Sequence, residues 1–388
     1  MSALSSPASL SLSQRFARVY EILSAAITAR AFPGCAFGVL AGNSVVVADA
    51  LGTFTYDDGS PSVTVDTPFD IASVTKVVGT TSACMLLNQR GRLDLDTPLG
   101  DLLPRFVVGR DASQGARLLR LRHLLAHNSG LPGYVELFRR AGTPDELIRA
   151  CLELPLEAEP GTRAEYSDPG FILLGKALEV IVNEELACWV TREVFQPLRL
   201  TATTYAIPAS ARNTIPPTEE DTGFRHRTIQ GEVQDENAFV LHGNAGHAGV
   251  FSTVPDLLRF AQAILEAKKD AQKDAQKNTQ KDAAPSPSAA IASPLFLAGT
   301  VECFATRQGP QGSSRALGWD TPSENSSAGR HFSPHSIGHL GFSGCSLWID
   351  LDARIAAVLL TNRTWPDRQS QEIRAVRPAF HDAIREAL

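Results

Sequence analysis

No run of apolar residues in this chain is long enough to span a bilayer, which excludes a membrane-crossing helix. The six cysteines, Cys35, Cys84, Cys151, Cys188, Cys303 and Cys345, include no C-x-x-C pair and no other compact metal-ligand spacing. They read as small buried apolar residues, not as a zinc site or a redox pair. The start of the chain, MSALSSPASLSLSQRFARVY, lacks a basic segment followed by an apolar one. No secretory signal is visible there, and the expected compartment is the cytoplasm. An excess of positive charge is missing too. The formal net charge is -6 at pH 7, with basic residues scattered or interleaved with acids. That balance gives no electrostatic reason to bind a phosphate backbone, so nucleic acid is not an expected partner. What remains is an ordinary globular composition, 43% hydrophobic and 20% charged, in 388 residues that can bury a large core.

Residues 14–28 place Phe16, Val19, Tyr20, Leu23 and Ile27 at helical spacing. Two strands follow at 36–40 and 44–50, joined by Ala41-Gly42-Asn43 as a hairpin. The far end mirrors this pattern, with apolar runs at 346–351 and 355–361 and an amphipathic helix at 371–388. A chain that opens helix, strand, strand and closes strand, strand, helix predicts an α/β fold of the α+β type. Its antiparallel sheet is built from both chain ends and flanked by helices, with a mainly helical part between. The expected boundaries are one catalytic domain over 14–388, with its α/β part at 14–72 and 296–388 and its helical part at 73–265. Residues 266–294 read differently. An imperfect Gln-Lys-Asp-Ala repeat and a Pro/Ser/Ala tail have few side chains able to offset the entropy of ordering, so this stretch is expected to be an exposed insertion, a solvated helix or linker.

Within DIASVTKVVGT, residues 70–80, Ser73 and Lys76 interrupt an otherwise apolar run. On a helix, positions three apart share a face, so a hydroxyl would lie beside an ammonium. Ser and Lys on an exposed helix face are commonplace, but Phe69, Ile71, Ala72, Val74, Val77 and Val78 leave little exposed surface here. A lysine buried there is expected to be held nearer neutrality by desolvation, able to help take a proton from the serine. Tyr166 lies in EPGTRAEYSDPGFILLGKALEVI, where Ser167 or Asp168 fits a helix N-cap and Pro169 the first helical position. Such a cap would hold the Tyr-Ser-Asp turn rigid. His339 opens HLGFSG just before the apolar strand SLWIDL, and its glycines permit close approach to the backbone.

Taken together and in this order, these features resemble the serine beta-lactamase and penicillin-binding-protein superfamily, and within it the class C beta-lactamases, D,D-peptidases and related esterases. The three motifs correspond to Ser73-Val-Thr-Lys76, Tyr166-Ser-Asp168 and His339-Leu-Gly341. LRHLLAHNSGLP, at 121–132, and GHAGVFSTVPDLLRF, at 246–260, add similarity, so the likeness spans 14–388 apart from the insertion. It implies that Ser73 attacks an acyl carbon while Lys76 and Tyr166 share the proton transfer, and that water then hydrolyses the acyl-enzyme. It further implies that His339 lines the site on the edge strand, and that the N–H groups of Ser73 and Phe342 form the oxyanion hole.

Two departures point away from an efficient beta-lactamase. Asp168 replaces an amide with a carboxylate that repels carboxylated substrates or pairs with Lys76, and His339 replaces a lysine, removing a permanent positive charge. The stretch GEVQDENAFVLHGNAGHAGVFST, at 231–253, is similar to a segment of muropeptide amidases and of a low-activity penicillin-binding protein, and is expected to form a loop and strand facing the site. Its Asp235, Glu236, His242 and His247 match no standard zinc spacing. Thr253 to Asp256 fits an N-cap before a helix at 257–265. The resulting expectation is a serine hydrolase without metal or cofactor, acting on a small ester, amide or peptidoglycan fragment. A catalytically silent module that binds peptide or cell-wall fragments is the alternative, and a metallohydrolase is a third reading.

Overall fold

The computed structural model describes residues 12–110, 115–277 and 294–388. Five strands form one antiparallel sheet: β1 (Gly34–Ala41), β2 (Ser44–Gly52), β3 (Ser336–Leu340), β4 (Ser346–Asp350) and β5 (Ile355–Thr361), in the order β2-β1-β5-β4-β3. The hairpin predicted at Gly42 is present, with Ala41 opposite Ser44 and Gly42 at a φ of 65°. Both chain ends do contribute to the sheet, because β1 pairs with β5 from Cys35↔Thr361 to Ala41↔Ile355.

Strands β1, β4 and β5 are buried almost throughout, because helices cover both faces. The four helices that matter for the site and sheet are α1 (Ala17–Thr28), α2 (Asp168–Val182), α3 (Val254–Lys277) and α4 (Ile373–Ala387). Phe37, Val39, Ala357 and Leu359 point to one face, where they meet Val19 and Leu23 of α1 and Phe380 and Ile384 of α4. The alternate residues Ala36, Leu40, Val358 and Leu360 point to the other, where they join Leu257, Leu258 and Ile264 of α3. Period-two alternation therefore assigns each strand residue to one of two apolar layers.

Helix α3 begins three residues earlier than its apolar spacing suggested and runs on through the start of the repeat to Lys277. The remainder of the expected insertion, at 278–293, lies outside the described residues. The cysteine expectation needs correction. Cys35, Cys84, Cys151 and Cys345 are buried, but Cys188 and Cys303 are exposed. Leu186, Ala187, Trp189 and Val190 supply the inward face of one short helix, and Thr300, Val301 and Phe304 that of another, so each of these cysteines falls on the outer face. Among the described residues no helix is long and apolar enough to cross a membrane.

Candidate functional site

Ser73 and Lys76 do meet, though not on a plain α-helix. Ser73 sits in a tight 3-10 turn, Ala72–Val74, and Lys76 opens a wider π-helical stretch, Lys76–Thr81, which leads into the helix Ser82–Gln89. Such local rewinding often marks functional positions in helices. Ala72, directly before the serine, has a φ of 45°, a conformation that an L-residue with a Cβ adopts at an energetic cost. The buried Asp70 holds it there, accepting the Ala72 N–H at 2.8 Å and the Gln234 N–H at 2.7 Å. Burial raises the Asp70 pKa to about 6, even though both N–H donors favour the ionised form.

The side chain of Lys76 is fully buried, and its ammonium makes three hydrogen bonds: to Ser73 Oγ at 2.9 Å, to Asp168 Oδ1 at 2.6 Å and to the His247 carbonyl at 3.0 Å. Three donors meet three acceptors. This corrects the expectation that burial keeps Lys76 near neutral. Burial alone does lower its pKa, but the Asp168 carboxylate and the Tyr166 oxygen outweigh it, and the net direction is upward. The expected pairing of Asp168 with Lys76 is what occurs.

Tyr166 and Asp168 are presented by the turn that enters α2. Ser167 is the N-cap, its Oγ accepting from the Gly170 N–H at 3.1 Å and donating to the Pro132 carbonyl at 2.7 Å. Asp168 is the first helical residue, where the helix dipole favours its negative charge. The Tyr166 phenol lies within hydrogen-bonding reach of both Ser73 and Lys76; burial raises its pKa, with Lys76 acting the other way. No motif announced a role for His127, in the HNSGLP stretch, yet it organises this turn. Its Nδ1 accepts the Ser167 N–H at 3.0 Å, its carbonyl accepts the Glu165 N–H at 2.7 Å, and its ring packs between Tyr166 and Phe171 at centroid distances of 4.5 and 5.0 Å. Burial, then the charges of Arg315 and Lys76, keep His127 neutral, well below the usual imidazole value.

Strand β3 is the edge strand facing this cluster, as the resemblance implied. His339 is buried, 5.9 Å from the Tyr166 ring, and is also held neutral by burial and the nearby Lys76 and Arg315 charges. With Nδ1 at 2.8 Å from the Leu340 carbonyl, Nδ1 carries the proton and Nε2 is left as an acceptor. The charge that His339 could lend to substrate binding is therefore absent at neutral pH. Gly341 packs so tightly on the serine turn that a Cβ there would lie 2.5 Å from the Ile71 carbonyl. Ser343 continues the clamp, donating to the Asp70 carbonyl at 2.7 Å. Phe342 lies between these two with its side chain exposed.

The acids and histidines of 231–253 separate into different tasks. Asp235 pairs with His247 Nε2 at 2.8 Å, which fixes the carbonyl that receives Lys76, and Glu236 pairs with Arg368 at 2.9 Å. His242 is exposed. Among the described residues no three His, Cys, Asp or Glu side chains are grouped to hold a metal. Thr253 caps α3 weakly, accepting from Asp256 N at 3.5 Å. A cation that the motifs did not announce completes the cluster. Arg315, from the loop before β3, stands 5.2 Å over the Tyr166 ring, and its nearest carboxylate, Asp320, is 3.9 Å away and already accepts a 2.6 Å hydrogen bond from Ser314.

A sheet edge set against a helix-borne serine and lysine, with a tyrosine between them, defines a serine hydrolase. The sequence pattern of the Beta-lactamase family matches residues 19–379, and the chain belongs to that family. Over 365 residues it is 29% identical to the N-acetylmuramyl-L-alanine amidase of Bacillus subtilis, covering 86% of this chain and 78% of that one. Its fold is shared with EstCE1, a hydrolase with promiscuous acyltransferase activity (TM-score 0.73, 20% identity, 96% of this chain and 99% of that one). A class C beta lactamase from Rhodobacter sphaeroides also superimposes, with a TM-score of 0.68 at 20% identity over 95% and 98% of the two chains.

Proposed function

We propose that Ser73 is the nucleophile of an acyl-enzyme hydrolase whose preferred substrate is a small amide of the peptidoglycan type, with an amino acid as leaving group. The contact between Ser73 Oγ and Lys76 Nζ, with Tyr166 in reach of both, carries the catalytic part of this reading. The ammonium must first release a proton to solvent, because its nitrogen has no lone pair with which to accept one. Lys76, with Tyr166, then takes the Ser73 proton as Oγ bonds to the acyl carbon. The oxyanion so formed is assigned to the N–H groups of Ser73 and Phe342, donors typically worth about 3 kcal/mol each. Tyr166 returns the proton to the departing nitrogen, and water enters along the reverse path to release the acid.

The amide preference rests on Arg315. It supplies, beside the tyrosine that serves the leaving group, the positive charge that His339 lacks, and an amino acid leaving group carries a carboxylate to meet it. The likeness to a muramyl-alanine amidase supports the same choice. The test compares a lactoyl-amino acid with its neutral carboxamide. The free acid should be the better substrate, and Arg315→Ala should raise its KM about tenfold or more, as loss of a charged hydrogen bond does, while changing the carboxamide little. Ser73→Ala should abolish both turnover and labelling by a fluorophosphonate. Labelling that survives in the Ser73 variant would refute the nucleophile, and equal effects of the Arg315 variant on acid and carboxamide would refute the carboxylate contact.

A further inference from the structure

Of the eight large apolar side chains exposed among the described residues, Tyr134 and Phe342, each 48% exposed, belong to segments that frame the Ser73–Lys76–Tyr166 cluster. Tyr134 follows Gly133, whose carbonyl accepts the Asp168 N–H at 2.9 Å. Phe342 follows Gly341, which lies against the serine turn. Between the rings runs a fixed polar chain. Tyr134 Oη donates to Glu236 Oε2 at 3.4 Å, Arg368 donates to Glu236 Oε1 at 2.9 Å and to Glu219, and the Arg368 guanidinium lies 5.5 Å from the Phe342 ring centre. Arg363 braces Phe342, donating to its carbonyl at 2.7 Å with its guanidinium 4.4 Å from the ring.

Two carboxylates and two guanidiniums cancel, so this shelf selects neither anions nor cations. An aliphatic acyl chain would lie against charged groups and gain little. A pyranose suits both components, because its C–H face packs on an aromatic ring and its hydroxyls match the planar donors and acceptors of Arg and Glu. We infer that Tyr134, Glu236, Arg368 and Phe342 form a subsite for a neutral sugar ring on the acyl side of Ser73. The acyl-side placement rests on the function proposed above, in which the Phe342 N–H faces the acyl oxygen and Tyr166 the leaving group.

The experiment uses the full chain with Ser73→Ala and methyl β-D-glucopyranoside, a neutral sugar with no acyl bond to break at the serine, observed by saturation-transfer NMR. Saturation should reach the ring C–H protons. Tyr134→Ala and Phe342→Ala, each added to that background, should weaken binding about threefold to tenfold, the range of one aromatic contact. Both side chains are half exposed, so unchanged thermal melts are expected to confirm that the variants fold. No transfer to the sugar, transfer unchanged in both variants, or displacement of the sugar by octanoate, which would assign the shelf to an aliphatic chain, overturns the inference. Since the probe undergoes no hydrolysis, sugar binding together with a Ser73 that takes no fluorophosphonate label in the parent chain would sink the proposed mechanism and leave the shelf standing.

Discussion

Replacing Asp168 by asparagine tests the electrostatics of the site most directly. At 2.6 Å and an effective dielectric constant of about 20, the Lys76–Asp168 attraction is about 6 kcal/mol before desolvation is counted. Desolvating both groups offsets much of this, and removing one partner of a buried pair typically costs roughly 3–5 kcal/mol. The asparagine oxygen can still accept from Lys76, which recovers part of that loss, so a net penalty of about 2 kcal/mol is expected while the lysine keeps its proton. The site can avoid the penalty by releasing that proton. Asp168 raises the pKa of both Lys76 and Tyr166, so the substitution lowers both, whichever of them is the kinetically decisive base. The acid limb of kcat/KM for a neutral p-nitrophenyl ester should therefore move to lower pH, with up to a tenfold gain at neutral pH for each unit moved. Stability should respond in the opposite range. Because the folded Lys76 pKa lies above its unfolded value, the pair stabilises fully below about pH 10.4 and ceases to do so as pH rises through the folded value; the variant should lose this alkaline dependence. An acid limb that stays in place, or moves to higher pH, would refute the assignment of Asp168 as the group that keeps Lys76 charged.

Gly341→Ala should destabilise by roughly 1–3 kcal/mol and depress turnover sharply, since the new methyl group must push β3 away from the Ile71 carbonyl; thermal melts and ester kinetics on one sample would check both. Tyr205→Phe should stabilise by about 1 kcal/mol. The Tyr205 hydroxyl is buried against Gly79 and makes no hydrogen bond among the described residues, so its removal relieves a desolvated group without disturbing the ring that stacks 6.0 Å from Phe195. Prolonged dialysis against EDTA should leave ester hydrolysis unchanged, because Asp235 and Glu236 are committed to His247 and Arg368; loss of activity restored by zinc would revive the metallohydrolase reading.

The parts of this site that short-range patterns encode were legible in the sequence. Apolar runs flanking turn residues revealed the strands near the two chain ends, Ser167 and Pro169 marked the start of α2, and the three-residue spacing placed Ser73 beside Lys76. What the sequence concealed depends on contacts between distant segments or on departures from ideal helical geometry. The rewinding at residues 72–81 and the positive φ of Ala72 leave no periodic signal, because they are imposed by Asp70, Gln234 and Gly341. The charge of Lys76 was misjudged for the same reason: burial could be read from its neighbours in the chain, but the counter-charge comes from 92 residues away. The tasks of His127 and Asp235 are hydrogen bonds across loops, and Arg315 belongs to no motif.

The pairing of β1 with both β2 and β5 bears on how the molecule matures. As the chain leaves the ribosome, β1 finds β2 across a two-residue turn almost at once, but its other neighbour arrives only after the whole helical middle has been made. During that interval an apolar strand edge is bare, and the serine turn lacks the Gly341 and Ser343 that hold it from across the site. The clamp on the turn that carries Ser73 is thus completed only once the helical middle and β3 have both been made.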